Sequence, residues 1–286
     1  MTRARSRARA RNARAVETVM KLVTGGAAAV VVTSAFGLLG YLLYRGLPSI
    51  TWSFLSGMPR DGGIFPAIAG TFWLTVGTAV FALPIGIAAG VYLSEYAPRG
   101  PRTRLIRLSI ANMAGVPSIV YGLFGLAVFV MLFGFGVSLI SGALTLACLT
   151  LPVIITTTEE ALGQVPQDLR QASLALGATR WRTVYRVVLP AAAPGIVTGS
   201  VLGLSRASGE TAPVLFTAVF FSAPLPTSPF DKVMALPYHI YIMATQPNHP
   251  QSAIVWGSAL VLVAGVTVIN IVAAAWRSRA RRKVTW

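Results

Sequence analysis

Long stretches of this chain contain no charged residue, and their absence limits the possible folds more than any other feature. The longest stretch, 108–158, contains 51 residues, whereas a helix needs roughly 20 apolar residues to cross a bilayer core. Hydrophobic residues make up 55% of the chain and charged residues 11%, against roughly 25% charged residues in soluble domains. The sequence therefore predicts a polytopic membrane protein and excludes both a soluble fold and a disordered chain.

The charge-free stretches predict an all-α fold, a polytopic membrane helix bundle with six transmembrane helices. Gly134-Phe135-Gly136 divides the longest stretch into two spans, and the stretches on either side of Arg206–Glu210 join into one. The stretches are too long for barrel strands, which alternate over about ten residues. The first one exceeds a signal-peptide core and is expected to remain as an anchor. The predicted spans are 22–44, 67–94, 110–133, 137–157, 194–221 and 253–276.

Basic residues are concentrated on one side of the predicted membrane. The chain has 24 Lys and Arg against 8 Asp and Glu, a net charge of +16. Twenty basic residues lie in four segments and only three in the alternate loops, so both termini are predicted to be cytoplasmic. The charge thus indicates topology and not a nucleic-acid partner. The predicted segments are an Arg-rich cytoplasmic tail 1–21, an external loop 45–66, a core 67–276 of five helices containing a cytoplasmic loop 159–193 and an external segment 222–252, and a basic cytoplasmic tail 277–286.

The cytoplasmic loop predicts two short helices joined by a glycine elbow. Helix-forming residues occupy 167–176, and Gly177 is suited to end that helix in a left-handed conformation. Apolar residues at helical spacing predict a second helix over 180–189, which Pro190 and Pro194 are expected to end. On physical grounds alone, a linker resting on lipid headgroups is an equal alternative to a docking element.

One arginine lies inside a predicted span. Arg206 and Glu210 share one helical face, with Arg206 about 18 Å past Pro194 at 1.5 Å per residue. A charge near the bilayer centre costs at least about 2.5–3.5 kcal/mol and persists where it faces a bundle interior or a water path. Pro213 predicts a kink beside the pair, and a guanidinium is suited to hold an oxyanion; the alternative is a structural ion pair. The predicted substrate-pathway residues are Arg206, Glu210, Ser205, Ser208 and Thr211.

The chain lacks the common motifs for nucleotide and metal binding. A P-loop requires Gly-Lys before Ser or Thr, and the three lysines follow Met20, Asp231 and Arg282. Cys148 is the single cysteine, which excludes disulfides and cysteine-based metal sites. We therefore expect no catalytic residue, cofactor or metal in this chain, and any ATP and Mg²⁺ to be bound by a partner subunit.

The cytoplasmic loop resembles the EAA loop of ABC importer membrane subunits, written E-A-A-x3-G-x9-I-x-L-P. Gln171-Ala172-Ser173, Gly177, Val187 and Leu189-Pro190 match it at every spacing. Gln171 replaces the usual Glu, which removes a charge but keeps length and hydrogen bonding. The resemblance implies a coupling helix that docks in a groove of the ATPase subunit. The coupling residues that it implies are Gln171, Ala172, Ser173, Gly177, Ala178, Trp181, Leu189 and Pro190.

From about residue 48 onward, the chain also resembles the permeases of phosphate-specific ABC importers, in particular the PstA type. The segments that carry this resemblance are VPSIVYGLFG, LPVIITTTEEAL, LALGATRW, RASGETAP and MALPYHIY. The resemblance implies a type I ABC importer permease (MetI-like) fold, import of inorganic phosphate and a bacterial inner-membrane location. It also implies three partners, which are a second, PstC-like permease forming a heterodimer, ATPase subunits and an external phosphate-binding protein.

Several functions remain open at this stage. A permease for another oxyanion such as sulfate or molybdate satisfies the same physical argument as one for phosphate. An ATP-independent channel or secondary transporter, and a purely structural membrane partner with Arg206–Glu210 as a helix clamp, are the alternatives from other classes.

Overall fold

A computed structural model describes residues 2–245 and 252–282. Within these residues, one isolated bridge between Val219 and Val233 is the only β-pairing, and the all-α prediction is confirmed. The α-helices are α1 Thr2–Gly46, α2 Trp52–Ser56, α3 Phe65–Val91, α4 Pro101–Ala114, α5 Ser118–Gly125, α6 Leu139–Gly163, α7 Gln167–Ala175, α8 Arg180–Thr183, α9 Leu189–Ser208, α10 Ala212–Thr217, α11 Leu236–Thr245 and α12 Ser252–Arg282.

Five helical stretches of the described chain are long and apolar enough to cross a bilayer. A sixth crossing is added if α4 and α5, which are bent by 99° relative to each other, form one broken span. The multi-pass membrane character predicted from the charge-free stretches is therefore confirmed. The five stretches are Glu17–Ser49, Phe65–Tyr96, Leu139–Gly163, Arg180–Ser208 and Ala253–Arg279.

The predicted third span, 110–133, is wrong as a continuous helix. The chain leaves the helix at Gly115 and begins α5 at Ser118, after which a π-helical turn continues to Leu132. Pro117 has no N–H group and disfavours helical geometry at the residue before it. An apolar run indicates that a segment is shielded from water, but it does not indicate that the segment forms one straight helix.

The predicted fifth span, 194–221, is also wrong, because its helix begins earlier and ends sooner. Arg180–Ser208 forms one helical stretch, so the predicted second loop helix does not end at Pro190 or Pro194. A π-helical turn, in which the Leu189 N–H donates to the Val184 carbonyl, precedes Pro190. In such a turn the N–H group bonds to a carbonyl five residues earlier instead of four, and a proline can follow without breaking the helix.

Helix α1 extends beyond the predicted first span 22–44. It begins at Thr2, so that the predicted tail 1–21 is helical over its described part. Ala and Arg are both strong helix formers, and their alternation in this segment is compatible with a helix. The amino-acid composition of the tail indicated its charge but not its conformation.

Helices α3, α6 and α9 form the core, and α6 is the most buried of the five long described helices. A Cβ atom on Gly86 would lie 2.6 Å from Cγ2 of Ile154, and one on Gly90 would lie 2.6 Å from Cβ of Thr158. Gly199 of α9 is equally tight against α6. Small residues allow helices to approach closely in membranes, and these glycines account for the close packing of α3 and α9 on α6.

The chain between α10 and α11 closes the end of the bundle at which α6 begins. The Leu139 N–H at the start of α6 donates to the Asp231 carbonyl at 2.8 Å. The Asp231 carboxylate accepts hydrogen bonds from the N–H and hydroxyl of Thr227 and from the N–H of Ser228, and these bonds lower its pKa. The first half of the predicted segment 222–252 is thereby held against α6, whereas its residues 246–251 lie outside the described chain.

The close approach of α3 and α6 predicts that Gly90→Ala destabilises the protein. The new methyl group would overlap Thr158, and overpacking of this kind costs about 1–3 kcal/mol. Thermal unfolding in detergent measures the effect. Gly37→Ala is the matched control, because Gly37 is also helical but has no neighbouring atom within 4 Å of a Cβ; an equal loss of stability in both variants contradicts the packing argument.

Candidate functional site

Arg206 and Glu210 lie together where α9 ends, although they form only a loose pair. The Arg206 Nε and the Glu210 Oε1 are 3.6 Å apart, beyond ordinary hydrogen-bond distance. The Arg206 side chain is 64% exposed and that of Glu210 is 17% exposed. Among the described residues, most donors of the guanidinium therefore have no hydrogen-bond partner, which would not be the case in a locked structural ion pair.

Two interrupted helices meet beside Arg206. One interruption is at 115–117 between α4 and α5, and the other is at 209–211 between α9 and α10. The two following helices touch, since a Cβ atom on Gly122 of α5 would lie 2.9 Å from the carbonyl oxygen of Ala212 in α10. Arg206 lines a small cleft with Met113 and Tyr121 on the α4–α5 side. Non-helical backbone at membrane depth is tolerated only where protein or a water-filled path covers it.

The predicted hydroxyl residues are only partly gathered around the charge pair. Ser205 donates to the Asn270 side chain of α12 at 2.9 Å, and polar side chains commonly join membrane helices in this way. Ser208 donates to the Ser205 carbonyl at 2.8 Å. Thr211 lies in the interruption itself, as the residue before α10. Ser205 and Ser208 therefore stabilise the end of α9, and within the described residues their hydroxyls make no contact with Arg206.

Pro213 occupies the first turn of α10, rather than a kink inside one long helix. A proline is favoured in the first turn, where its missing N–H group has no intrahelical partner. In a continuous helix it would clash with the Gly209 carbonyl four residues earlier. The chain instead ends α9 at Ser208 and restarts after Thr211, which places the break next to Glu210.

The loop after α6 forms the predicted helix, elbow and second helix. Gly177 has φ of +79°, the left-handed conformation that only glycine adopts readily. Its N–H donates to the Leu174 carbonyl, and the Ala178 N–H donates to the Ser173 carbonyl. A 2.9 Å hydrogen bond joins the hydroxyls of Ser173 and Thr183. The elbow therefore has one defined shape that holds α7 against α8.

An apolar surface is exposed on this elbow. Leu176 is 89% exposed and Trp181 is 67% exposed, and the Trp181 ring stacks on the exposed ring of Tyr185. Gln171 and Ala172 are exposed as well. Two other predicted coupling residues lie apart from this surface, because Leu189 packs against the buried cluster at the end of α6 and Pro190 lies in the helix leading away.

Three residues with specific contacts were missed by the sequence analysis. Arg170 was assigned only to the topology charge, yet it is partly buried and ion-paired with Glu95 at 2.8 Å. Tyr121 donates to the Met113 carbonyl at 2.9 Å and so bridges the break between α4 and α5. The proline at position 117, inside an apolar run, could have indicated the break. Nothing in the sequence indicates that Glu95 and Arg170 meet.

The two histidines do not form a metal site within the described residues. No group of three His, Cys, Asp or Glu side chains there is close enough to hold a metal ion. His239 is buried against the ring of Phe221, and burial lowers its pKa, which favours the neutral ring at pH 7. His249 lies outside the described chain.

An α-helical membrane bundle with interrupted helices beside a largely exposed arginine, and with an exposed apolar elbow at one end, has the architecture of a transport permease. The sequence pattern of the family described as "Binding-protein-dependent transport system inner membrane component" matches residues 82–285. The chain belongs to this family.

Known proteins of similar sequence and structure agree with this assignment. The chain is 38% identical over 276 residues to the probable ABC transporter permease protein YqgI of Bacillus subtilis, covering 90% of this chain and 94% of that protein. It is 40% identical over 255 residues to the phosphate transport system permease protein PstA of Mycobacterium leprae, covering 86% and 83%. An inward-facing structure of the MetNI methionine ABC transporter superposes with a TM-score of 0.63 at 20% identity, covering 76% of this chain and 97% of that one. The predicted MetI-like fold of type I importer permeases is therefore confirmed.

The left-handed elbow predicts that Gly177→Ala destabilises the loop without any steric clash. No atom lies within 4 Å of a Cβ at this position, so the cost of about 1–2 kcal/mol is backbone strain alone. Hydrogen exchange of 171–183 in the purified protein measures it as faster opening of the elbow. Gly163→Ala, at a helical position with equal space, is the control; unchanged exchange in Gly177→Ala would show that the elbow is not held in the observed conformation.

Proposed function

We propose that this chain is a membrane subunit of an ATP-driven ABC importer that moves inorganic phosphate inward. The observation that carries the proposal is the Arg206 guanidinium, largely uncovered at the junction of two interrupted helices. Its forked donors match phosphate oxygens. Relatives such as the M. leprae protein, named as a phosphate transport system permease, support phosphate as the substrate over sulfate or molybdate.

In this proposal, Glu210 keeps the bound anion from being held too tightly. Its carboxylate is near enough to attract the guanidinium but is not hydrogen-bonded to the Nε atom. A substrate anion would compete with this carboxylate for the same positive charge. Net binding would then be weak enough for release, as transport requires.

A second, homologous permease is the first proposed partner. A mostly exposed arginine at membrane depth would cost at least about 2.5–3.5 kcal/mol against lipid, and a facing subunit removes that cost. We propose a PstC-like chain in this position, so that the phosphate path is enclosed by a heterodimer. An external phosphate-binding protein would deliver the substrate to the end closed by the segment 218–235.

ATPase subunits are the second proposed partner, because this chain contains no P-loop. They would bind ATP and Mg²⁺ and receive the exposed elbow, with Leu176 and Trp181 as the apolar contacts. The excess of basic residues in the loops and tails favours a cytoplasmic location for this elbow and for both termini. The complex would lie in the bacterial inner membrane, with hydrolysis carried out entirely by the partner.

The proposed function predicts that Arg206→Ala lowers phosphate uptake at least about tenfold, the loss expected for one charge-assisted hydrogen bond. Arg206→Lys is expected to retain an intermediate rate, because it keeps the charge but loses the forked geometry. The measurement is uptake of labelled phosphate by proteoliposomes containing the whole complex, with sulfate as competitor.

Arg104→Ala is the matched control, since Arg104 is an exposed arginine in the first turn of α4, at the opposite end of that helix from the interruption at 115–117. It should leave uptake unchanged. Normal uptake by Arg206→Ala, in a complex that still contains its ATPase subunits, would remove Arg206 from the transport path. Strong competition by sulfate would contradict the choice of phosphate.

A further inference from the structure

Arg170, in the docking loop, uses four of its five N–H donors for hydrogen bonds inside this chain. Its Nη2 donates to the Glu95 Oε1 at 2.8 Å and to the Leu162 carbonyl at 2.9 Å. Its Nη1 donates to the Val165 carbonyl at 2.6 Å, and its Nε to the Glu95 Oε2 at 3.4 Å. The two charged side chains are 13% and 10% exposed. Arg170 is therefore neither a lipid-facing charge nor a free contact for a partner.

A second arginine of the same loop reaches the same place. The Arg180 Nη2 donates to the Glu95 carbonyl, and its guanidinium lies 5.5 Å from the centre of the Tyr96 ring, close enough for a cation–π contact. Arg170 belongs to α7 and Arg180 begins α8. Both helices of the elbow are thus tied to one turn, Tyr92–Tyr96, which directly follows α3.

This turn connects the elbow to the two helices that pack on α6. The turn Tyr92–Tyr96 is continuous with the end of α3, whose Gly86 and Gly90 lie tight against α6. The same turn contacts Arg180, the first residue of the continuous helical stretch that ends at Ser208. On this stretch, Arg206 lies about 38 Å from Trp181 at 1.5 Å per residue. A displacement of the elbow reaches α9 through the backbone, whereas the Arg170 and Arg180 contacts join the elbow directly to the turn that follows α3.

A buried ion pair is a poor means of adding stability alone. Removing two charges from water costs about as much as their attraction returns, and apolar replacements are often equally stable. The Arg170–Glu95 pair instead specifies one geometry, because one planar guanidinium must meet a carboxylate and two carbonyls at once. The ion pair between Arg107 and Glu159 at the same end of the bundle is more exposed, and within the described residues its guanidinium meets one carbonyl, that of Leu93, besides the carboxylate.

We propose that Glu95 and Arg170 form a clamp that makes α3 follow the docking elbow. They are positioning residues, and the proposal rests on the proposed function of this chain as an ABC importer subunit. With the clamp intact, motion of the elbow on its partner moves α3 and α9 together and opens the path at Arg206. Without the clamp, the elbow still docks and ATP is still hydrolysed, but α3 no longer moves with the elbow, and the amount of phosphate imported per ATP falls.

The test uses the whole complex reconstituted in liposomes with its ATPase subunits and binding protein. The variants are Glu95→Ala, Arg170→Ala, the double variant and Arg170→Lys, with Arg104→Gln as a control that removes an exposed arginine charge outside the clamp. Two quantities are measured: the amount of ATPase subunit that co-purifies, and the phosphate imported per ATP hydrolysed. If the pair had a merely structural role, its loss would lower the amount of co-purified ATPase subunit. If the pair is a clamp, its loss lowers the phosphate imported per ATP.

The expected result is unchanged co-purification with an import-to-hydrolysis ratio lowered about tenfold, the loss of one buried charge-assisted interaction. Because the two residues act through each other, the double variant should be no worse than either single variant. Arg170→Lys should be intermediate, and Arg104→Gln should equal the wild type. If the alanine variants do not assemble, Glu95→Gln keeps the shape and the acceptor oxygen, and its ratio should also be lowered.

Two outcomes would overturn the clamp. One is an unchanged ratio in Glu95→Gln and in every assembled variant; the other is losses that add in the double variant, which would mean that the residues act separately. The wild-type complex distinguishes this failure from failure of the proposed function. If the wild type hydrolyses ATP but imports no phosphate, the proposed function is wrong; if it imports phosphate and the variants match it, only the clamp is wrong.

Discussion

The hydrocarbon core of a bilayer offers no hydrogen bonds to the backbone, and the arrangement of these helices follows from that constraint. Each N–H and C=O group at membrane depth must find a partner within the protein. Long helices satisfy it by themselves, but α5 and α10 begin only after the chain has broken from a preceding helix. These two helices lie against each other, and Tyr121 bonds to the carbonyl of Met113 at one break. The irregular backbone is therefore covered, and the uncovered group beside it is the side chain of Arg206.

A single helical stretch links the two regions to which we assign function. The predicted boundary between the docking loop and the fifth span does not exist, because Arg180–Ser208 is continuous. Proline was expected to separate them, and the π-helical turn before Pro190 prevents this. A stiff helix transmits a displacement along its length, whereas a flexible linker absorbs it. The proposed coupling to an ATPase therefore needs no additional element between the elbow and the end of α9.

Arginines of the docking loop that look alike in the sequence differ in their surroundings. Arg182 and Arg186 are exposed, as expected for residues that determine topology. Arg170 is partly buried and paired with Glu95, although 75 residues separate them in the chain. Charge counting treats all of these residues equally, because it uses only their position relative to the spans. The distinction depends on which helix end lies opposite each side chain, and no local pattern encodes it.

The sequence by itself determined that this protein is a helical membrane bundle, which family it belongs to, where the glycine elbow lies and which arginine stands within an apolar stretch. These conclusions depend on composition, on short-range spacing and on the conformational preference of residues such as Gly177, all of which are local properties. Only the tertiary structure decided that 110–133 is broken, that 180–208 is continuous, that Ser205 bonds to α12 and that Glu95 meets Arg170. Those features depend on which backbone groups find partners from distant parts of the chain, because a proline or a charge is tolerated or not according to what packs against it.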